Sequence, residues 1–331
     1  MRHNFLNYGG QKLAINTDLI IVGGGPAGLT AGLYAVRGGL DAVLIEKGIL
    51  GGQVVTTYDV ENYPGFPEPV NGSELVEKME KQAVRFGLKI KTMCEAQKIE
   101  IKDHKFYTYT CDPAEGPIVS NALILANGNL PRKLGVPGEE KLAGRGVSYC
   151  ATCDGALYRN REIAVIGGGD TALTEALFLT NFASKIHLIH RRDKFRGEKV
   201  YSDRILAHPK INVIWDSVLE SIEGEEVVES IKIKNVKTSQ LTQIKLDGVF
   251  IFVGLAPSTA IVKNSPQLSS IVNEEGYIVT DETCKTKIEG LFAAGDVRAG
   301  NFRQIVVACA NGATAAHHAY HYIDHIKTQG A

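Results

Sequence analysis

The sequence predicts an α/β protein that contains one βαβ unit written twice. Residues 18–47 and 162–191 align without a gap at an offset of 144 residues. In each copy an apolar run of strand length enters a glycine turn, continues into a helical stretch and ends in a second apolar strand. Such units assemble into parallel sheets covered on both faces, so we predict two Rossmann-like, three-layer domains.

Composition sets broad limits on the function. The chain has 331 residues, enough for two domains, with 36 Lys and Arg against 37 Asp and Glu. This balance gives no reason to expect a nucleic-acid or anionic-membrane partner. No apolar run is long enough to span a bilayer, and the first 18 residues lack an apolar stretch of signal-peptide type. We therefore expect a cytoplasmic protein.

The glycine turns are typical of dinucleotide binding. Gly23-x-Gly25-x-x-Gly28 fits the dinucleotide fingerprint, and Gly167-x-Gly169-x-x-Ala172 fits its permitted variant. The first glycine makes a tight turn, the second lets backbone approach a pyrophosphate, and the third position allows close helix–strand packing. The alternative is a duplicated α/β scaffold that binds no nucleotide.

The residues that end the second strands differ between the copies. Glu46 ends the first, and His190 stands at the same offset in the second, followed by Arg191 and Arg192, with Arg196 nearby. A carboxylate at this place accepts hydrogen bonds from ribose hydroxyls and repels a 2′-phosphate, whereas a basic cluster attracts one. The first site therefore suits FAD or NAD and the second suits NADP, unless the basic residues only form a solvated turn.

Cys150 and Cys153 form a Cys-x-x-Cys pair, which can be half a zinc site, a redox-active disulfide or two neighbouring thiols. The other cysteines stand far apart from one another, so the second pair of a typical zinc site is missing. Stable disulfides are rare in the cytosol, which favours a redox role. Residues His317, His321 and His325 share a helical face, but we interpret them as a polar stripe and predict no metal site.

Two nucleotide sites and one dithiol can act in series. One site suited to FAD and one suited to NADPH predict a flavin reductase, in which hydride passes from nicotinamide to flavin. The flavin then needs an outlet, and the cysteine pair lies just before the second βαβ unit. A non-catalytic redox sensor, the competing hypothesis, does not need all three parts in series.

Several segments in order resemble one enzyme family. They are GGQ (51–53) with ENYPGF (61–66), CATCDG (150–155), GGGDTALTEA (167–176), HRRDKFR (190–196), and GLFAAGDVR (290–298) with FRQIVVA (302–308). From about residue 17 to about residue 320, the chain is similar to the low-molecular-weight thioredoxin reductases of bacteria and archaea. The resemblance implies a homodimer whose NADPH domain is inserted into its FAD domain and whose partner is thioredoxin.

The implied domains are 1–128 for the first half of the FAD domain, 129–254 for the NADPH domain with the cysteine pair, and 255–331 for the second half of the FAD domain with dimer contacts. Another disulfide carrier, glutaredoxin-like or peroxidase-linked, is the alternative partner. The chain departs from the family pattern at Asn127 and Asn129, and again at Asn311.

The resemblance also implies a role for each matching residue. Cys150 and Cys153 carry electrons, and Asp154 is the general acid that protonates a leaving thiolate, although a turn or capping role would also explain it. The implied FAD contacts are Gly23, Gly25, Pro26, Ala27, Gly28, Glu46, Gly52, Gln53, Asn62, Gly128, Gly295, Asp296, Arg303, Gln304 and Ile305. The implied NADPH contacts are Gly167, Gly169, Asp170, Thr171, His190, Arg191, Arg192 and Arg196.

Overall fold

A computed structural model describes residues 15–56, 60–112 and 116–329. The expected absence of an N-terminal signal, and the first 14 residues of the first predicted domain, lie outside the described residues. Within the described ranges the chain divides into two compact units. Unit 1 comprises the chain up to Asn129 and from Pro257 onward, and unit 2 runs from Leu130 to Ala256.

The strands of unit 1, including the two at its boundaries, are β1 (Ile15–Val22), β2 (Ala42–Ile45), β3 (Lys89–Lys91), β4 (Ala96–Lys102), β5 (Lys105–Thr110), β6 (Ile118–Leu125), β7 (Asn129–Pro131), β16 (Leu255–Pro257) and β17 (Leu291–Ala293). Its helices are α1 (Pro26–Arg37), α2 (Gly72–Arg85), α6 (Ala260–Lys263) and α7 (Ile305–Gln329), with 3-10 turns η1 (Gly52–Thr56), η3 (Pro266–Ile271) and η4 (Gly295–Val297).

The strands of unit 2 are β8 (Val147–Ser148), β9 (Glu162–Gly167), β10 (Lys185–Ile189), β11 (Ile211–Ile214), β12 (Ser217–Glu223), β13 (Ser230–Asn235), β14 (Leu241–Lys245) and β15 (Gly248–Phe252). Its helices are α3 (Ala151–Asp154), α4 (Asp170–Leu179) and α5 (Lys199–Ala207), with the 3-10 turn η2 (Gly155–Tyr158).

The sheet of unit 1 has the order β3-β2-β1-β6-β5-β4, with β17 also pairing with β6. Strands β3, β2, β1, β6 and β17 are parallel, whereas β5 pairs antiparallel with both β6 and β4. Because β2 and β6 lie on opposite sides of β1, a crevice opens at the carboxyl end of β1, where sheets of this kind bind ligands.

Both faces of this sheet are covered, which explains the nearly continuous apolar strands. In β1, Leu19 and Ile21 join the core beneath α1, α2 and α7, while Ile20 and Val22 join the core on the other face. Small side chains let α7 approach α1 closely. A Cβ added at Gly312 would lie 2.1 Å from the carbonyl oxygen of Ala27.

The main sheet of unit 2 has the order β11-β10-β9-β15-β8, and all of its pairs are parallel. One face is covered by α3, α4 and α5, and the other by the antiparallel sheet β12-β13-β14. Strand β9 has β10 on one side and β15 on the other, so a second crevice opens at its carboxyl end.

The predicted α/β class with two Rossmann-like units is confirmed by the parallel strands at the centre of both main sheets. Each βαβ copy found in the sequence lies at the centre of one sheet, as β1-α1-β2 and β9-α4-β10. Among the described residues, none of the helices combines the length and apolarity that crossing a membrane requires.

Candidate active site

The first glycine turn follows β1 and leaves no room for side chains. Gly23 has φ +113°, and a Cβ there would lie 2.2 Å from the carbonyl oxygen of Ala126. A Cβ at Gly28 would lie 1.8 Å from the carbonyl oxygen of Gly23. These contacts explain the first and third glycines by backbone conformation and by close helix–strand packing.

Open space remains above the N-terminus of α1. Gly25 is the N-cap of this helix and offers no side-chain cap, and a Cβ there would meet nothing nearer than the Gly51 carbonyl oxygen at 4.0 Å. The Gly51 amide donates a 2.8 Å hydrogen bond to the Gly24 carbonyl, which brings η1 beside the turn. The uncapped amides of the first helical turn therefore face a cradle that fits a pyrophosphate.

Glu46 closes one end of this cradle, directly after β2. Its carboxylate accepts hydrogen bonds from the backbone amides of Gly24 at 2.7 Å and Gly48 at 2.9 Å. Each carboxylate oxygen has a further lone pair for a hydroxyl donor. The side chain is thus fixed where an adenosine ribose would bind in the dinucleotide arrangement.

Asp296, in η4, lies at another edge of the crevice. Burial raises the pKa of its carboxyl, and the charge of Arg303 opposes that rise. No described residue donates a hydrogen bond to this carboxylate, so a bound polyol hydroxyl would fit as its donor. The neighbouring Gly295 lies close to α1, since a Cβ there would come within 2.8 Å of the Ala27 Cβ.

Other predicted flavin residues meet in pairs. The Asn62 side-chain amide donates a 3.0 Å hydrogen bond to Gln304, and the Gln53 amide donates one of 3.3 Å to the Asn129 carbonyl. Arg303 lies over the ring of Tyr277, with 4.9 Å between the guanidinium carbon and the ring centre. The remaining members take these positions: Pro26, Ala27 and Gly28 in the first turn of α1, Gly52 at the start of η1, Gly128 beyond β6, and Ile305 as the first residue of α7.

The second glycine turn folds the basic loop back onto itself. Gly169 is the N-cap of α4, and a Cβ there would lie 4.0 Å from Nη2 of Arg196. The Arg196 amide donates a 2.8 Å hydrogen bond to the Gly168 carbonyl, and the Asp170 carboxylate accepts one of 2.6 Å from the Glu198 amide. The structure therefore places a guanidinium beside the open N-terminus of α4.

The three predicted arginines of this loop are exposed. Arg191, Arg192 and Arg196 are all exposed residues, and none forms an ion pair with a described residue. Thr171, in the first turn of α4, is also exposed. This donor set carries positive charge without an internal partner, which fits a phosphate.

His190 takes a different position from these arginines. It is 6% exposed, its Nε2 lies 3.0 Å from the Lys194 carbonyl oxygen, and burial lowers its pKa. The ring contacts Phe195 and Trp215, whose own ring centres lie 4.5 Å apart. His190 therefore anchors the loop from inside and belongs to an aromatic cluster beneath the arginines.

The cysteine pair lies between β8 and β9 and forms a disulfide. Cys150 is the N-cap of α3, and its Sγ accepts a 3.1 Å hydrogen bond from the Cys153 amide. Cys153 is exposed and Cys150 is half-buried. Asp154 ends α3, and its charge adds to burial in raising the pKa of Tyr158.

The structure also identifies polar residues that the sequence analysis missed. Glu139 is buried and accepts hydrogen bonds from the backbone amides of Leu134 and Gly135 and from the hydroxyl of Tyr149, next to Cys150. At the departures from the family pattern, the side-chain oxygens of Asn127 and Asn311 are buried without a partner in the described chain. For the Glu139 contact, the one signal available in the sequence was Tyr149, a hydroxylated aromatic residue directly before Cys150.

In the part of the chain that the structure describes, no three histidine, cysteine or acidic side chains converge where they could hold a metal ion.

Comparison with known proteins identifies the family. Residues 17–312 match the model of the pyridine nucleotide-disulphide oxidoreductases. The chain is 44% identical to a thioredoxin reductase of Treponema pallidum over 310 residues, which are 94% of this chain and 98% of the relative. It is also 44% identical to a thioredoxin reductase of Listeria innocua, with 94% and 95% of the chains covered.

A solved structure leads to the same family. The crystal structure of Lactococcus lactis thioredoxin reductase matches with a TM-score of 0.88 at 42% identity, covering 93% of this chain and 99% of the other. The resemblance seen in the motifs is confirmed, and the chain belongs to the pyridine nucleotide-disulphide oxidoreductase family.

Proposed function

We propose that this protein is a thioredoxin-disulfide reductase, which passes electrons from NADPH through FAD and the Cys150–Cys153 pair to oxidised thioredoxin. The disulfide itself carries the proposal. It lies in unit 2, in the segment between β8 and β9 that leads into the second dinucleotide turn. The thioredoxin reductases that match nearly the whole chain support this assignment.

The nucleotides divide between the units. Unit 1, with the cradle at Gly25, the fixed Glu46 and the unpartnered Asp296, is the FAD domain, and unit 2 is the NADPH domain inserted into it. The predicted limits, 1–128, 129–254 and 255–331, fall within two residues of the limits of the compact units. Bound FAD would supply the two-electron chemistry that links a nicotinamide hydride donor to a disulfide.

Selectivity for NADPH comes from the basic loop. Arg191, Arg192 and Arg196 hold the 2′-phosphate, while the α4 N-terminus at Gly169 and Asp170 faces the pyrophosphate. The buried His190 holds the loop in place beneath them. Since guanidinium–phosphate hydrogen bonds are charge-assisted, NADPH binds more tightly than NADH.

Reduction converts the disulfide of the cysteine pair into two thiols, which can exchange with the disulfide of a partner. Reduction of the disulfide takes up two electrons and two protons and leaves two thiols. One thiolate then attacks the disulfide of thioredoxin, and the second thiol resolves the mixed disulfide as the electrons leave. Asp154, at the end of α3, supplies the proton to the thiolate that leaves in each step.

The assembly and location follow the resemblance. We propose a homodimer that works in the cytoplasm and has neither a nucleic-acid nor a membrane partner. The balanced charge supports the absence of an electrostatically recruited partner of either kind. Reduction of a different disulfide carrier would use the same residues, so the partner itself has to be tested.

A spectrum followed by anaerobic reduction tests this function. Purified protein should be yellow, and NADPH should bleach the flavin band much faster than NADH does. With thioredoxin and a disulfide dye added, the wild type should turn over. Cys153→Ser should keep flavin reduction and lose thioredoxin turnover. A protein that stays colourless after reconstitution with FAD, or a Cys153→Ser variant with native turnover, would overturn the proposal.

A further inference from the structure

Glu139 forms a polar hub inside unit 2. The residue is 2% exposed, and its carboxylate accepts three hydrogen bonds. The Leu134 amide donates to Oε1 at 2.9 Å, the Gly135 amide to Oε2 at 2.6 Å, and the Tyr149 hydroxyl to Oε1 at 2.6 Å. A carboxylate this buried is costly unless its oxygens are satisfied, and here three donors converge on it.

The donors come from two functionally distinct segments. Leu134 and Gly135 belong to the linker through which the chain enters unit 2 after β7. Tyr149 directly precedes Cys150, the first residue of the disulfide. The hub therefore ties the incoming linker to the cysteine-bearing segment through one side chain.

The hub is itself fixed to the fold. The Ile222 amide, in β12, donates a 2.9 Å hydrogen bond to the Pro137 carbonyl. A Cβ at Gly138 would lie 1.9 Å from the Ile222 carbonyl oxygen, so the linker lies directly on the β12 backbone. The ring of Tyr149 packs against the apolar core between the two sheets of unit 2.

The tyrosine hydroxyl stays protonated throughout the working pH range. Burial, and then the hydrogen bond and negative charge of Glu139, raise the pKa of Tyr149 well above its usual value. The hydroxyl is therefore a permanent donor to the Glu139 carboxylate.

Ser148, which directly precedes Tyr149, also holds the backbone of Cys150. The Cys150 amide donates to the Ser148 hydroxyl at 3.0 Å, and that hydroxyl donates to the Cys150 carbonyl at 3.1 Å. The backbone of Cys150 is thus bonded to the Ser148 side chain, while Tyr149, between these two residues, is bonded to Glu139. Little freedom remains for the segment that carries the sulfur.

We propose that Glu139 and Tyr149 are positioning residues of the reductase, which hold Cys150 and its disulfide in a fixed place within unit 2 so that electrons reach the sulfurs efficiently. This inference rests on the proposed function. Electron and thiol transfer both require a defined approach of the reacting atoms, and a displacement of about 1 Å can cost about a hundredfold in rate. Any movement of the incoming linker also carries the cysteines with it.

Tyr149→Phe separates this role from simple folding. The substitution removes one hydroxyl and leaves the Glu139 carboxylate with its two amide donors, so the linker stays anchored. Only the tie to the cysteine segment is lost. Tyr109→Phe is the matched control, because the Tyr109 hydroxyl donates a 3.0 Å hydrogen bond to Glu100 on the hairpin of unit 1.

The experiment measures both half-reactions of the holoenzyme. In Tyr149→Phe we expect kcat with NADPH and thioredoxin to fall about tenfold, with KM for thioredoxin within about twofold of the wild type. The rate of flavin reduction by NADPH in stopped flow should be unchanged. Tyr109→Phe should match the wild type in every rate.

The outcomes separate the two proposals. If the wild type turns over and Tyr149→Phe shows native kcat, whatever its Tm, the positioning role is wrong. An equal loss of flavin reduction and of turnover would also overturn it, because the damage would then be general. If the wild type fails to reduce thioredoxin with NADPH, the proposed function fails, and the positioning role falls with it.

Discussion

The backbone amide of Gly24 donates a 2.7 Å hydrogen bond to the carboxylate of Glu46, so the glycine turn after β1 and the acid after β2 form one structural unit. The second amide on this carboxylate, from Gly48 at 2.9 Å, fixes its orientation from the opposite side. The acid therefore shapes the cradle, and in the proposed FAD site it would also accept hydrogen bonds from a ribose.

Glu46→Gln should weaken FAD binding. The two amides bond different carboxylate oxygens, so a glutamine would present its oxygen to one amide and its NH2 group to the other donor. We expect the Kd for FAD to rise about tenfold or more, because a hydrogen bond to a charged group contributes about 1.5–3 kcal/mol. Flavin absorbance per protein after dialysis measures the loss. Glu77→Gln, on the exposed face of α2, should retain FAD like the wild type, and equal retention by Glu46→Gln would contradict the assignment.

The double variant Arg192→Gln/Arg196→Gln should lose its preference for NADPH. Each charge-assisted contact is expected to contribute about tenfold at these exposed positions, so KM for NADPH should rise about a hundredfold while KM for NADH stays nearly constant. Trp215 is the chain's single tryptophan and lies in the aromatic cluster under the loop, so its fluorescence reports binding directly. Arg204→Gln, on α5, is the control. An equal rise in KM for NADPH and for NADH would show that the loop does not bind the 2′-phosphate.

Glu175 predicts a pH-dependent stability. Burial raises the pKa of this α4 carboxyl from 4.5 to about 7. A raised pKa means that the folded state binds the proton more tightly than the unfolded state does. The resulting stabilisation of the fold is complete below the unfolded-state pKa of 4.5 and is lost as the pH rises through about 7. Glu175→Gln mimics the neutral acid. Its gain in free energy of unfolding over the wild type should be about 2–3 kcal/mol larger at pH 8 than at pH 5.

Thermal unfolding at the two pH values measures this difference for Glu175. Glu220→Gln, an exposed position in β12, should show the same Tm offset from the wild type at both pH values. A Glu175→Gln offset that does not change between pH 5 and pH 8 would mean that the carboxyl is ionised in the fold throughout.

The duplicated backbone could be predicted from the sequence because its requirements are local. Gly23 and Gly28 are required because neighbouring backbone leaves no room for a Cβ there. The apolar runs mark the parallel strands. Even the strand ends correspond, since the Glu46 amide donates to Lys91 and the equivalent His190 amide donates to Ile214. An offset of 144 residues thus predicted equivalent backbone positions correctly.

The same offset did not predict all the partners of these side chains. Both side chains lie against their own glycine turn, at Gly24 and Gly168. Among the described residues, Glu46 has only backbone amides as partners there, whereas His190 also packs against the rings of Phe195 and Trp215. The hub at Glu139 could not be predicted either, because its donors stand at separations of four to ten residues along an irregular segment. Without a repeating period, such contacts are determined only when the linker folds onto β12.

An anaerobic titration with NADPH tests the central claim most directly. If flavin and disulfide act in series, oxidised wild type should take up about two equivalents of NADPH per subunit, one for each two-electron centre. The variant Cys150→Ser/Cys153→Ser should take up about one, with the flavin band bleached in both proteins. Identical uptake by the two proteins would contradict the account, because the cysteines would then receive no electrons from the flavin.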